Sequence, residues 1–222
     1  MNLKTLDQEL QKIFSTPGII LIYGPAGSGK SLLCLLSIKL KKDPIGKIIY
    51  VDVQSSNFQY SRFKQICSPY LIKDIKDNIF FIHPKNFDDQ SRIISHISEL
   101  QEKIAIIIID NITYLYRLEK GGYGKSYKIS KKLIEQVELI SAISKNLNIP
   151  IIVSSHVYST FKENQLRDFM VVGGKILESK STYKILLSNS GNKKRAIIIN
   201  SKDNSKAEYF FQITQSGIED VQ

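Results

Sequence analysis

Residues 24–31 read Gly-Pro-Ala-Gly-Ser-Gly-Lys-Ser, so that three glycines precede a lysine and a serine. The segment is a complete match to the phosphate-binding P-loop pattern, G-x-x-x-x-G-K-[ST]. Apolar residues at 19–23 predict a strand that enters the loop, and the apolar residues after Ser31 predict a helix that leaves it. The glycines let successive backbone N–H groups surround phosphate oxygens at the positive end of that helix. The pattern predicts a site for a nucleoside triphosphate.

Lys30 and Ser31 close this pattern, and each has an expected task. The lysine of a P-loop reaches the β- and γ-phosphates, and the hydroxyl group that follows it is a ligand of Mg²⁺. We expect the whole loop and the first residues of the helix to contact the nucleotide. The predicted set is Gly24, Pro25, Ala26, Gly27, Ser28, Gly29, Lys30, Ser31 and Leu32.

Asp110 follows the apolar run Ile-Ala-Ile-Ile-Ile-Ile at 104–109, which predicts a buried strand. In nucleotide-binding proteins, a carboxylate at the end of such a strand holds Mg²⁺ and its water shell beside the P-loop hydroxyl. Asp110 is therefore predicted as a second metal residue, together with Ser31. The alternative is that Asp110 caps a helix that begins at Asn111.

Length and composition predict one domain over residues 1–222 and exclude several classes of protein. Apolar runs are shorter than the roughly 18 residues of a membrane span, and the N-terminus lacks the pattern of a signal peptide. The two cysteines, Cys34 and Cys67, form no disulfide framework, and Cys34 is expected to pack in the core. We therefore expect a cytoplasmic protein without a membrane partner.

The chain is basic, with 31 lysines and arginines against 21 acidic residues and a net charge of +10. The excess is larger in the second half of the chain. A basic surface of this kind favours a polyanionic partner, in the first place a nucleic acid. The alternative is a lysine-rich solvated surface, and charge alone does not separate the two.

Apolar runs and helical spacings alternate along the first 155 residues, which is typical of an α/β protein with a doubly wound, mainly parallel sheet. The predicted strands are 19–23, 47–52, 79–83, 104–109 and 151–155. The predicted helices are 3–14, 31–41, 58–67, 87–102 and 127–147. Short strand patterns at 181–187, 195–199 and 209–213, with turn residues between them, predict a C-terminal antiparallel β-meander.

Around these motifs the chain resembles the RecA/RadA recombinase family, and in particular its short archaeal RadA paralogues. The resemblance covers nearly the whole chain, and its most diagnostic part is C-terminal. It runs through 24–31, Tyr50-Val-Asp-Val-Gln, Ile107-Ile-Ile-Asp-Asn-Ile-Thr, Asn148-Ile-Pro-Ile-Ile-Val, Gly173-Gly-Lys-Ile-Leu, Ser181-Thr-Tyr and Phe211-Gln-Ile-Thr-Gln-Ser-Gly-Ile-Glu-Asp.

This resemblance implies a RecA-like P-loop NTPase core that binds ATP and Mg²⁺ and acts on single-stranded DNA in homologous recombination and DNA repair. Full recombinases of the family carry an N-terminal DNA-binding domain and a Phe-x-x-Ala segment through which protomers polymerise. Only 23 residues precede Gly24, so we expect neither feature and no self-polymerisation. The expected role is that of an accessory protein, with the main RadA-type recombinase as a candidate partner.

Two residues depart from the family pattern at positions that matter for hydrolysis. The glutamate that activates the attacking water in the family is matched by Gln54, and an amide cannot accept a proton from that water. The family's γ-phosphate-sensing glutamine is matched by His156, which adds a titratable group. We therefore expect ATP binding with weak or absent hydrolysis. In the alternative alignment, Asp52 or Glu99 is the base.

Two segments match the family's DNA-facing loops, Arg117–Lys132 and Tyr158–Gly174. The first has six basic residues, one glutamate and interleaved tyrosines, which suits non-specific binding of a single strand. The candidate DNA-binding residues are Arg117, Lys120, Tyr123, Lys125, Tyr127, Lys128, Phe161, Lys162 and Arg167. The alternative for each segment is a solvated surface loop.

A third basic segment, Lys193-Lys194-Arg195, is expected at a hairpin tip, where it could contact DNA or complete a neighbouring protomer's ATP site.

Two other classes of protein compete with the recombinase interpretation. A P-loop kinase would usually have an arginine-bearing lid, and the five arginines are scattered. A signalling ATPase of the circadian-clock type would carry paired catalytic glutamates, which Gln54-Ser55 lacks.

Overall fold

The computed structural model describes residues 5–41, 46–54, 57–67, 73, 77–120, 126–160 and 168–221. Nine strands of these residues form one sheet: β1 (Gly18–Tyr23), β2 (Lys47–Asp52), β3 (Ile79–Ile82), β4 (Ile104–Asp110), β5 (Pro150–Ser155), β8 (Ser181–Ser190), β9 (Lys193–Asn200), β10 (Lys206–Thr214) and β11 (Gly217–Asp220). Their order in the sheet is β11-β10-β9-β8-β1-β5-β4-β2-β3. A separate antiparallel pair joins β6 (Val157–Thr160) to β7 (Asp168–Val171).

Helices cover both faces of the sheet. They are α1 (Leu6–Phe14), α2 (Lys30–Leu40), α3 (Asn57–Ile66), α4 (Phe87–Glu99), α5 (Tyr114–Lys120), α6 (Ser126–Leu147) and α7 (Lys175–Lys180). Pairings from β8 through β1, β5, β4 and β2 to β3 are parallel, whereas β8 to β11 pair antiparallel. The sequence prediction of a doubly wound, mainly parallel sheet with a C-terminal meander is confirmed.

Two apolar layers hold this arrangement together, one on each face of the sheet. In β4 every residue is buried, so alternate side chains enter opposite layers. Ile106 and Ile108 pack with α1 and α2, whereas Ile107 and Ile109 pack with α4 and α6. Because both layers depend on β4, the strand is fixed firmly at the position that carries Asp110.

None of the helices in the described residues is long and apolar enough to cross a membrane.

The segment predicted as the first DNA-facing loop is largely helical where it is described: its second part belongs to the helix predicted at 127–147, and its first part belongs to a helix that was not predicted. Arg117 and Lys120 lie in the last turns of α5, and Tyr127 and Lys128 lie at the start of α6. The short pattern Tyr-Leu-Tyr-Arg-Leu at 114–118 offers barely two helical turns, too few to reveal a helix by periodicity. The second predicted loop contains β6 and β7, a hairpin that sequence reasoning also missed.

Hydrogen bonds connect the first helix of the described chain to its last strand. The backbone N–H of Leu6, in the first turn of α1, donates to both carboxylate oxygens of Asp220 in β11, at 3.3 and 3.1 Å. A carboxylate stabilises a helix N-terminus because backbone N–H groups there have no partner within the helix. Thr5 and Gln8 complete the cap as a capping box.

Candidate nucleotide-binding site

A cavity of about 830 Å³ lies at the carboxyl edge of the parallel strands, a volume within the usual range for small-molecule sites. Loops that follow β1, β2, β4 and β5 all reach it, as expected at this edge of an open α/β sheet. The lining residues are Ala26, Gly27, Gly29, Lys30, Ser31, Leu32, Gln54, Arg62, Gln65, Asp110, Asn111, His156, Ile213, Thr214 and Gln215. The cavity thus brings together Lys30, Ser31, Gln54, Asp110 and His156 from four distant segments.

The loop between β1 and α2 has a backbone that requires glycine. Gly24 has φ +157°, and a Cβ there would lie 2.2 Å from the carbonyl oxygen of Leu187. Gly29 precedes α2 with φ +102°, and none of the described side chains caps the helix at that point. The N–H groups of the first turn of α2 are therefore left for a ligand, and the positive end of the helix dipole favours an anion.

Lys30 is nearly buried, and its ammonium group is held by the loop itself. Nζ donates to the carbonyl oxygens of Gly24 at 2.9 Å and Pro25 at 2.7 Å. Burial lowers the pKa of Lys30 from its ordinary value, while the nearby charge of Asp110 opposes that shift. The side chain is therefore held as a donor at the wall of the cavity.

Asp110 is 4% exposed and has defined partners in the two neighbouring strands. Ser154 in β5 donates to Oδ1, and the hydroxyl group of Tyr50 in β2 donates to Oδ2 at 3.0 Å. Burial, followed by the Asp110 charge, raises the pKa of Tyr50 well above its usual value, so its hydroxyl remains a donor. Helix α5 begins only at Tyr114, and the side chain that accepts from Thr113 N–H belongs to Asn111. The helix-cap alternative for Asp110 is therefore wrong.

The donor set suits Mg²⁺ with a triphosphate. A hydroxyl oxygen from Ser31 and carboxylate oxygens from Asp110 are hard ligands, which Mg²⁺ prefers, and few protein ligands are needed because phosphates and waters supply the rest. Ser28 Oγ in the same loop is buried and has no hydrogen-bond partner among the described residues. Ser31 and Asp110 would hold the ion, and Lys30 with the loop N–H groups would hold the phosphates.

Gln54 lies two residues beyond β2 and is exposed to the cavity. The alternative bases are placed elsewhere. Asp52 is 1% exposed, its Oδ2 lies 3.7 Å from His83 Nδ1, and it is absent from the cavity wall. Glu99 ends α4, which begins beyond the carboxyl end of β3 and runs back toward the other edge of the sheet. Of these three residues, only Gln54 reaches the cavity, and neither alternative base lines it.

His156 follows β5 and belongs to a hydrogen-bonded group beside Asp110. Its Nδ1 lies 2.8 Å from Asn111 Nδ2, and its backbone N–H donates to Thr113 Oγ1 at 3.3 Å. Burial, then the positive charges of Lys30 and Arg117, lower the pKa of His156 to about 4, against a smaller opposing effect of Asp110. The imidazole is therefore neutral near pH 7 in the nucleotide-free chain.

Arg62, Gln65 and residues 213–215 also line the cavity, and sequence reasoning missed them. The Arg62 guanidinium donates to the carbonyl oxygens of Thr214 and Gln215 and to Gln65 Oε1. These contacts join α3 to the end of β10, more than 150 residues away in sequence. Arg62 and Ile213 both line the cavity, and a planar guanidinium and an apolar side chain suit the face of a nucleobase.

The candidate DNA-binding residues that are described lie near this cavity or on exposed helix ends. Arg117 is close enough to His156 for its charge to affect the imidazole. Lys120 Nζ lies 5.3 Å from the ring centre of Tyr116, and Tyr127 is 84% exposed. Two other lysines of this segment pair with acids, Lys132 with Asp88 and Lys131 with Glu135. Tyr123, Lys125, Phe161, Lys162 and Arg167 lie outside the described residues.

The basic segment at 193–195 starts β9, beside the P-loop of its own chain. Lys194 Nζ donates to the carbonyl oxygen of Gly27 at 2.8 Å and to Asn189 Oδ1 at 2.7 Å. Arg195 pairs with Glu208 in β10. Lys194 thus contacts the P-loop of its own protomer.

Comparisons with known proteins agree with this geometry. The Rad51 family model matches residues 2–221. The RadB DNA repair and recombination protein of Methanocaldococcus jannaschii is 30% identical over 200 residues, covering 89% of this chain and 91% of that protein. RadB of Methanococcoides burtonii is 30% identical over 190 residues, which cover 85% and 81%. RadA of Ignicoccus hospitalis is 27% identical over 233 aligned positions, which cover 98% and 71%. The chain belongs to the Rad51 family of RecA-like proteins.

Proposed function

We propose that this chain binds ATP with Mg²⁺ in the cavity, hydrolyses it slowly or not at all, and binds single-stranded DNA as an accessory protein in homologous recombination and repair. Its relatives carry names of DNA repair and recombination, which supports the process. The P-loop, Lys30, Ser31 and Asp110 support the ligand. Arg62 and Ile213 are the proposed contacts of the nucleobase of ATP.

One observation carries the proposal of weak hydrolysis. Among the described residues that line the cavity, Asp110 is the one carboxylate, and Ser154 and Tyr50 already donate to it. Gln54 lines the same cavity at the position that the resemblance assigns to the catalytic base, and its amide can orient a water molecule but cannot accept its proton. Bound Mg²⁺ would neutralise phosphate charge, but among the described residues of the cavity wall none supplies a further carboxylate to activate the water. Loss of general-base catalysis costs roughly 10²–10⁴ in rate.

The DNA-binding part of the proposal rests on charge and on position. Arg117 acts electrostatically on His156, so the helix that carries candidate DNA contacts lies near the candidate nucleotide site. A phosphate near His156 would change the balance of charge at Arg117, which offers a route from ATP to DNA affinity. With Gln54 in place of a catalytic carboxylate, bound ATP would persist. It would act as a switch and would not drive repeated cycles of hydrolysis.

The test combines calorimetric ATP titration with fluorescence anisotropy of a labelled single-stranded oligonucleotide. We expect wild-type protein to bind ATP with Mg²⁺ and Lys30→Ala to lose most of that affinity. Single-strand binding should exceed duplex binding, weaken with salt and respond to ATP. Absence of ATP binding, or absence of single-strand binding at low salt, would refute the corresponding part. ATP-dependent capture of the cell's RadA-type recombinase on immobilised protein tests the partner.

A further inference from the structure

Asn111 lies between the backbone of the next turn and the ring of His156. Its Oδ1 accepts from the backbone N–H of Thr113 at 3.0 Å and from the Thr113 hydroxyl group at 2.9 Å. A backbone N–H can only donate, so the amide atom that faces it must be the oxygen. This contact fixes the orientation of the amide, and Nδ2 is the atom that faces His156.

The orientation of the amide then determines where the imidazole carries its hydrogen. Nδ2 of Asn111 is a donor only, so His156 Nδ1, 2.8 Å away, must accept. A neutral imidazole that accepts at Nδ1 carries its hydrogen on Nε2. The backbone of His156 is also held, since its carbonyl oxygen accepts from Val172 N–H at 2.9 Å and Ser155 Oγ at 3.0 Å. Nε2–H is therefore the ring group left for a ligand in the cavity.

We propose that Asn111 is a positioning residue that holds His156 as the Nε2–H tautomer, so that the ring donates a hydrogen bond to the terminal phosphate of a bound nucleoside triphosphate. The consequence is discrimination between ATP and ADP by a neutral donor. This proposal rests on the proposed binding of ATP in the cavity.

The charged groups around the ring favour such a donor. Lys30 and Arg117 disfavour a further positive charge at His156, so the protein supplies a hydrogen without an added cation. A glutamine at this position can place its N–H₂ group by rotating the amide, whereas a histidine donates at the right atom only in one tautomer. With histidine at position 156, Asn111 is therefore needed to select the donating tautomer. A glutamine at the same position would not need it.

The tautomer is measured directly by nitrogen NMR of the nucleotide-free protein with ¹⁵N-labelled histidine. The chain has three histidines, and His156→Gln assigns the signal of His156. We expect an unprotonated Nδ1 and a protonated Nε2. Asn111→Asp replaces the donor by an acceptor and should move hydrogen to Nδ1. Thr113→Val, which keeps the backbone N–H, is the matched control and should keep the wild-type tautomer.

A wild-type ring protonated at Nδ1, or an unchanged ring in Asn111→Asp, would overturn the proposal. Should Asn111→Asp fail to fold, Asn111→Leu serves instead and should give a mixture of tautomers. This readout needs no nucleotide, so it stands even if ATP does not bind. A wild-type chain that shows the tautomer but binds no ATP would refute the proposed function and the phosphate-sensing step. The positioning of His156 by Asn111 would still stand.

The phosphate-sensing step is tested by the ratio of ATP to ADP affinity. We expect Asn111→Asp to reduce that ratio about tenfold, the scale of one lost hydrogen bond to a charged group. The double variant Asn111→Asp, His156→Gln should recover most of it, because the glutamine amide needs no tautomer. A ratio that stays low in the double variant would assign the loss to the added charge of the aspartate and would overturn the sensing role.

Discussion

The ammonium group of Lys194 lies 2.8 Å from the carbonyl oxygen of Gly27, and this contact ties the β8–β9 hairpin to the P-loop of the same chain. Asn189 Oδ1, 2.7 Å from the same nitrogen, holds the lysine in place. Gly27 has φ +71°, so its peptide depends on neighbouring contacts to keep its orientation. Lys194 is positioned to stabilise the loop that would hold phosphate.

Replacing Lys194 by alanine should therefore weaken nucleotide binding without removing a phosphate contact. We expect about fivefold faster dissociation of a fluorescent ATP analogue, corresponding to roughly 1 kcal/mol for one hydrogen bond. Stopped-flow displacement in dilute protein measures the rate. Lys202→Ala, which removes an exposed lysine from the next turn, is the control and should leave the rate unchanged. Equal rates in wild type and Lys194→Ala would show that the contact is dispensable.

Gln54→Glu should convert the chain into a faster ATPase. The substitution places a carboxylate on the cavity wall beyond β2, and general-base catalysis contributes roughly 10²–10⁴ in rate. Phosphate release at saturating ATP and Mg²⁺ measures the gain. Gln65→Glu adds a carboxylate to the same cavity, near Arg62, and is the matched control. If both variants accelerate hydrolysis equally, position 54 has no special relation to the attacking water.

The stability of the nucleotide-free chain should fall as the pH falls from about 6.5 to about 4, in part through His156. Burial, then the charges of Lys30 and Arg117, hold its pKa at about 4 in the folded chain, against 6.5 in the unfolded chain. Below pH 6.5 the unfolded chain therefore binds a proton that the folded chain does not, which favours unfolding. Urea titrations should show a smaller loss for His156→Gln over this window, with a constant difference between the two proteins above pH 7. Parallel curves below pH 6.5 would contradict the assignment.

Lys120→Ala combined with Lys128→Ala should weaken binding of single-stranded DNA and flatten its salt dependence. Each lost phosphate contact on a single strand reduces the slope of log K against log salt by about 0.7. Anisotropy titrations at several salt concentrations give the slope. Lys145→Ala is the control, because Lys145 is an exposed lysine of α6, 17 residues or about 25 Å from Lys128. A loss of affinity in Lys145→Ala as large as in the double variant would indicate a diffuse effect of net charge.

Much of the parallel sheet could be predicted because its strands are buried on both faces. The apolar runs around Ile20, Ile108 and Ile152 have no reading as surface segments. The hairpin of β6 and β7 was missed because four-residue strands with mixed polarity carry little periodicity. The same reason accounts for β11, whose four residues Gly-Ile-Glu-Asp contain a single apolar side chain.

The part of the site that would hold the phosphates was predictable, and the part that would hold the nucleobase was not. Residues 24–31 are contiguous, so one motif contains the loop, the lysine and the hydroxyl group. Arg62 and Ile213 line the same cavity only because α3 and the end of β10 approach each other in the folded sheet. The contact between Asn111 and His156 was likewise not predictable, since it requires β4 and β5 to be neighbours.

The contact between Leu6 and Asp220 places the two ends of the described chain side by side. A short peptide could therefore join them, and new ends could be opened in the exposed turn at 201–205 without crossing the buried strands. In such a circular permutant, β10, β11 and α1 would follow one another in sequence as they already adjoin in space. Order along the chain and order in the fold are thus separable in this protein.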